Sequence, residues 1–171
     1  MRPLAAAFLI VLSTVGCGYH IAGQADTIPD TVATIAVEPF ENITTEYKIE
    51  QYLTAAVTRE LIARTRYRVI NDPAEADAVL TGAVVGFIAY PQNFDQVTNR
   101  ASTVSTITRL QVTLRERDSG DVIYQNPNME HRDRYEVSTS PDAYFEERQA
   151  ALTRSSQSMA RTLVSAVLEG F

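Results

Sequence analysis

Arginine is the residue type with the most chemistry to offer in this chain. Arg109, Arg115 and Arg132, Arg134 stand two or more apart in two stretches that alternate in polarity, and Arg100 precedes them. A guanidinium binds phosphate or carboxylate in bidentate fashion, so such a cluster suits an anionic amphiphile or an acidic partner. The competing reading is a solvated strand face with Glu130 and Glu136 as cross-strand partners. His131 is the one candidate general base, with Asp133 two residues away. A lone histidine on a strand is more commonly a structural residue. Asp118-Ser119-Gly120 matches the short signature of aspartic proteases, but Asp121 follows and the composition is that of a hairpin turn.

Other catalytic signatures are absent. There is no G-x-G-x-x-G, P-loop, H-E-x-x-H or G-x-S-x-G. Two histidines and one cysteine supply neither a zinc site nor an intrachain disulfide. The expectation is a non-enzyme without metal or cofactor. With 15 Lys and Arg against 21 Asp and Glu, the net charge of −6 speaks against a nucleic-acid partner. At 171 residues with 45% hydrophobic and 21% charged content, the chain fits one ordinary globular domain.

The N-terminus reads as an address. Arg2 precedes an apolar run, Leu4–Leu12, too short for a membrane span of ~20 residues and right for a signal-peptide core. Small residues then lead to Cys17, the only cysteine. This resembles a bacterial lipoprotein signal, although Thr14 stands where such signals usually carry Leu. The resemblance implies removal of residues 1–16 and a diacylglycerol and acyl anchor on Cys17. Residues 17–30 would be a short lead and 31–171 a single domain. Gly18 is not the acidic residue associated with inner-membrane retention, so the outer membrane is the expected destination, with the domain on the periplasmic side.

The elements that must position the arginines follow from periodicity. Thr31–Phe40 is β-branched and apolar, a strand. Ile49, Leu53, Val57 and Leu61 form one face of a helix over Glu46–Arg64, with Thr45 as N-cap. Tyr67–Ile70 is a short strand, and Ala74–Asp77 a single helical turn. Ala78–Tyr90 is apolar on both faces, a buried central strand. Pro91–Ala101 reads as a loop. Ser102–Arg117 and Val122–Val137 are antiparallel strands about the turn at Asp118–Asp121, with a bulge or edge position at Pro127. A long helix runs from Pro141 to Leu168, with Phe145, Leu152, Met159, Leu163 and Val167 as its core stripe. The fold class is α+β: two helices on one face of a four- to five-stranded mixed sheet. Arg100, Arg132 and Arg134 then gather at the pole opposite the Asp118 turn.

Cys17-Gly18-Tyr19-His20-Ile21-Ala22-Gly23, directly after the signal, resembles the opening of the lipopolysaccharide-assembly lipoproteins, the LptE family. The order of elements agrees along the rest of the chain. The resemblance implies an outer-membrane lipoprotein that plugs a large β-barrel, LptD. It also implies a role in inserting lipopolysaccharide into the outer leaflet, with contact to the lipid through basic residues. A second resemblance competes. Ile35–Asn42, Tyr67–Ile70 and Ala76–Gly82 are similar to periplasmic lipoproteins that activate penicillin-binding proteins or belong to curli secretion.

Overall fold

The computed structural model describes residues 28–96, 101–136 and 144–170, with side chains in the last helix from Glu147 onward. Cys17, Arg100, Val137 and the side chain of Phe145 therefore lie outside what is described. The elements run β1 (Thr34–Val37), β2 (Glu41–Asn42), α1 (Ile49–Arg64) and β3 (Arg68–Ile70), then β4 (Ala78–Phe94), β5 (Ala101–Glu116), β6 (Val122–Glu136) and α2 (Tyr144–Glu169). The sheet order is β3-β1-β4-β5-β6, with β2 also on β4. The first three strands pair in parallel and β4–β5–β6 form an antiparallel meander. The class is α+β, as expected, with two helices and a six-stranded mixed sheet.

The strand count differs for a local reason. Pro39 cannot donate to a ladder, so the expected first strand stops at Val37 and resumes as the two-residue β2, further along the same neighbour. Phe40 lies in the gap, buried, and its N–H donates to Thr54 Oγ1 at 2.9 Å. Its ring covers Gly82 so closely that a Cβ there would sit against Phe40 Cζ at 2.8 Å.

Helix α1 starts later than its N-cap assignment anticipates. Lys48 takes the cap position in the left-handed region (φ 61°), and no side chain caps the helix. Thr45, the expected N-cap, does not cap the helix; its neighbour Thr44 closes an Asx turn with Asn42, its N–H and hydroxyl donating to Asn42 Oδ1 at 2.9 and 2.7 Å. Asn42 Nδ2 donates in turn to the Glu46 carbonyl at 2.8 Å and to Glu50 Oε2 at 2.9 Å.

Register puts the core on one sheet face. Ile35 and Val37 stand beside Ala78 and Leu80. Leu80 faces Leu114, Val84 faces Leu110, and these face Tyr124 and Met129. All are buried, together with Ile49, Leu53, Val57 and Leu61 of α1 and Met159, Leu163, Val164 and Val167 of α2. Two helices thus cover one face, as the periodicity requires; Leu152, expected in the stripe, is only half-buried.

The two sheet portions are clasped at Asp77. Its Oδ2 accepts from Ala33 N at 2.9 Å, Thr34 N at 2.8 Å and Thr34 Oγ1 at 2.8 Å, while its own N–H donates to Thr34 Oγ1. These donors, the Ala33 N–H foremost, hold the carboxyl below its ordinary value, with Arg117 adding to the effect. Arg117 Nε also donates to the Ala76 carbonyl at 2.7 Å.

Strand β4 does not end at Tyr90. It runs through Pro91 to Phe94, where a loop is expected, with register shifts at Pro91/Asn93 and Asn93/Phe94 absorbing the proline. The meander therefore extends as a distal arm made of residues 87–94, 101–108 and 129–136.

Candidate functional site

The distal arm carries two of the expected arginines and separates them from a third. Arg132 and Arg134 lie on β6 opposite Ile107 and Ser105. Arg115 lies near the other end of β5, where its guanidinium donates to the Gly120 carbonyl of the Asp118 turn. It belongs to the opposite pole and not to the cluster.

The solvent face of the sheet alternates as predicted. Arg109, Gln111, Thr113 and Arg115 of β5 share it with Glu130, Arg132 and Arg134 of β6. By register, Ile88 and Tyr90 of β4 join them, each at least a third exposed. The arginines here are not all free. Glu130 takes two of them, Arg132 Nε at 2.7 Å and Arg109 Nε at 3.6 Å. Arg132 is foremost in lowering the Glu130 pKa, and Glu130 raises that of Arg132. The cross-strand ion-pair reading therefore holds for Arg109, and Arg132 joins the same glutamate from its own strand. The cause lies in the register, which sets Arg109 directly opposite Glu130.

The unpaired cations are elsewhere. Among the described residues the guanidiniums of Arg134, Arg154 and Arg161 carry no ion pair. All three line one groove of about 860 Å³ between the arm and the first half of α2. Its other walls include Asp133, Glu136, Glu147, Tyr135 and Ser158. Glu147, Arg154, Ser158 and Arg161 fall three, four or seven apart, one face of the helix. The seven-residue step from Arg154 to Arg161 places their Cα atoms roughly 10 Å apart along the wall.

Under this groove the packing is polar. The buried residues of α2 change from Met159, Leu163 and Val167 to Ala151, Ser155 and Ser156. On β5 they change from Leu110, Val112 and Leu114 to Thr106 and Thr108. His131 sits beside Thr108 with its Nε2 buried and unpartnered, as is Ser156 Oγ. Burial, helped by Arg161, lowers the His131 pKa below 6.5 against the opposing pull of Asp133. The ring is accordingly neutral at neutral pH. Among the described residues its Nε2 makes no hydrogen bond, and the half-buried ring beside Thr108 fits a structural residue. The Asp118-Ser119-Gly120 triplet forms a tight turn, with Ser119 Oγ donating to Glu116 Oε2 at 2.7 Å.

Arg154 and Arg161 are not in the sequence-derived set. Their helix face is polar, and periodicity points to the buried stripe. Only the register of the arm beneath shows that this polar face borders a groove.

The groove is anchored at the start of α2. Arg148 Nη2 donates to both carboxylate oxygens of Glu46, at 2.9 and 2.8 Å, and Glu46 is buried. No group of three or more potential metal ligands occurs among the described residues, and no described helix is long and apolar enough to cross a membrane.

A strand-helix-meander-helix chain with this element order finds its family in the comparison with family models. The model described as LptE, lipopolysaccharide-assembly, matches residues 32–167. This chain belongs to the LptE family. No curated protein matches it. Among solved structures it is similar to rare lipoprotein B from Shewanella oneidensis, at 14% identity and a TM-score of 0.50, over 80% of this chain and 92% of that one. It is also similar to the PelC dodecamer from Paraburkholderia phytofirmans, at 16% identity and a TM-score of 0.51, over 80% and 88%. A putative lipoprotein from Caulobacter crescentus gives 16% and 0.51, over 77% and 88%. At such identities the likeness concerns the fold. The LptE match rests on the folded domain from Val32 onward, independently of the Cys17 opening.

Proposed function

We propose that this LptE-family chain is a non-enzymatic outer-membrane lipoprotein, anchored through acyl groups on Cys17. It docks within an LptD-type β-barrel and assists insertion of lipopolysaccharide into the outer leaflet. Family membership supports the assembly role. Two or more acyl chains would give stable anchoring, which one chain does not.

The observation that carries direct contact with the lipid is the groove, walled by Arg154 and Arg161 of α2 and bordered by Arg134 on the edge strand β6. Its volume lies within the range of small-molecule sites, about 300–1,000 Å³. Its lining is polar and too charged for an acyl chain. Guanidiniums suit phosphates, and Asp133, Glu136 and Glu147 suit sugar hydroxyls, so a phosphorylated sugar headgroup matches the mixture. Arg100, on sequence, belongs to the same pole. Arg109, Arg132 and Arg115, already engaged, are assigned a secondary part at most.

The test compares lipopolysaccharide binding to the wild type, to a triple variant Arg134→Glu, Arg154→Glu, Arg161→Glu, and to Arg109→Glu. The expected result is a loss of tenfold or more in the triple variant and a smaller change in Arg109→Glu, at matched melting temperatures. Unchanged binding by the triple variant would remove the direct-contact reading. Docking is tested separately, by purifying the C-terminally tagged protein from detergent-solubilised envelopes. A stoichiometric, heat-modifiable β-barrel is the expected companion; a penicillin-binding protein in its place would move the assignment to the activator class.

A further inference from the structure

A second concavity lies on the other side of α2 from the groove. The turn that leads into α1 and the first turns of α2 enclose a cleft of about 380 Å³. Tyr47, Lys48 and Tyr52 line it from one element, Gln149 and Leu152 from the other, and the Glu46–Arg148 pair joins them. Glu147, Ala151 and Arg154 line the groove instead, so the helix, about 10–12 Å across, divides the two sites. The walls of the cleft are held in place by the fold itself. Asn42 binds Thr44 and the Glu46 carbonyl, Thr44 Oγ1 accepts from Glu46 N at 3.2 Å, and the Glu46 carboxylate holds Arg148 of α2.

The side chains that face this cleft do little for the fold. Tyr47 is 74% exposed, and Tyr52 and Leu152 are only half-buried. The Lys48 ammonium stands 4.9 Å from the centre of the Tyr47 ring and makes no ion pair among the described residues. Lys48 also holds a left-handed backbone conformation that glycine or asparagine adopts at lower cost. Glu46 and Arg148 cancel each other. Lys48 therefore gives the cleft a net positive charge, within a chain of net charge −6.

We infer that this cleft binds a sugar ring bearing a carboxylate or a phosphate. The C–H face of such a ring carries a weak positive potential and packs on the negative face of an aromatic ring, which Tyr47 and Tyr52 offer. Its hydroxyls find donors and acceptors in the two phenols and the Gln149 amide. Its acidic group meets Lys48, a compact point charge. An acyl chain in the same place would leave those polar groups against hydrocarbon. A stable protein interface takes about 800 Å² per partner, whereas this is a preformed concavity within the size range of small-molecule sites. The inference rests on the proposed contact with lipopolysaccharide only for the source of the sugar. An acidic sugar of the cell wall has the same chemistry.

The test measures equilibrium binding to the purified, detergent-solubilised full chain. The probes are the acyl-free oligosaccharide of lipopolysaccharide, an acidic disaccharide fragment of the cell wall and a neutral glucose trisaccharide. At least one acidic probe should bind tenfold or more tighter than the neutral one, and the tighter of the two names the source. Tyr47→Ala and Lys48→Gly should each weaken that binding fivefold or more, while Tyr47→Phe, which keeps the ring, should lose less. Lys48→Gly relieves the backbone, so its melting temperature should be unchanged or higher and its loss of binding is no loss of fold. Equal binding of all three probes, or unchanged affinity in Tyr47→Ala and Lys48→Gly, would overturn the inference. So would variants that keep their sugar affinity but no longer copurify with the envelope partner, which would give the cleft to a protein. The variant Arg134→Glu, Arg154→Glu, Arg161→Glu separates this inference from the proposed function. It should keep the Tyr47-dependent binding of the acidic probe, whatever it does to whole lipopolysaccharide. Loss of all sugar binding there would place the sugar in the groove, overturning the cleft and leaving the proposed function intact.

Discussion

The two halves of α2 meet the same sheet in opposite ways. The second half lays Met159, Leu163, Val164 and Val167 against α1 and the Leu80–Leu110–Leu114 layer, with nothing polar among them. Arg64 Nη1 donating to Ser165 Oγ at 2.9 Å secures its outer side. The first half buries Ala151, Ser155 and Ser156 near Thr106 and Thr108, and leaves two polar atoms without partners. Close-packed aliphatic surface supplies most of a fold's stability, whereas unpartnered buried polar groups subtract from it. The fold is thus held from one end, and the other end is kept polar beside the groove.

That contrast can be broken most strongly at Leu163. Leu163→Ala should cost about 2–5 kcal/mol, by transfer and cavity terms together. Denaturant midpoints at constant m-value would measure it, and a cost below about 1 kcal/mol would contradict a dry, well-packed half.

The next effect is at the start of the helix. Arg148→Ala strips a buried carboxylate of the guanidinium nitrogen that bridges its two oxygens and should destabilise by about 1–3 kcal/mol, since Arg148 itself is partly solvated. The loss should be confined to the first half of α2. Hydrogen exchange should rise around residues 147–156 and remain slow around 159–167.

The smallest effect concerns His131, and its sign follows from linkage. The folded state disfavours the charged ring, so the unfolded state binds more protons below 6.5. Stability present above that value is therefore lost as pH falls from 6.5 toward the lowered folded pKa. His131→Gln should flatten this slope while leaving stability at pH 8 within about 1 kcal/mol. An unchanged slope would place the ring in solvent.

Much of this division is legible in the residues. Leu110, Val112 and Leu114 alternate with arginine and glutamine, and the structure buries the former and exposes the latter. The four-residue spacing of α1 selects its buried face correctly. Other features escape pattern reading because they are decided by partners distant in sequence. Pro91 looks like a strand terminator until β5 is beside it to absorb a register shift. Arg109 looks like a free ligand group until the register sets it opposite Glu130. Arg154 and Arg161 look like ordinary solvent-facing helix positions until the arm is placed beneath them. Thr45 fits an N-cap by type, but its neighbour Thr44 serves Asn42 and the chain enters α1 through a left-handed Lys48.

The Asp77 clasp also has a mechanical side. Strand β1 is an interior strand, bonded in parallel to β3 on one side and β4 on the other, and the chain reaches it from its N-terminal end. Tension arriving along that end passes the exposed contacts of Asp30 and Thr31 and then meets Ala33 and Thr34, where Asp77 grips two amides and a hydroxyl at once. Beyond the clasp both ladders are loaded in shear, so their bonds share the force instead of opening singly as at a peeled edge. A domain pulled from its N-terminus would yield last where the two sheet portions are stitched together.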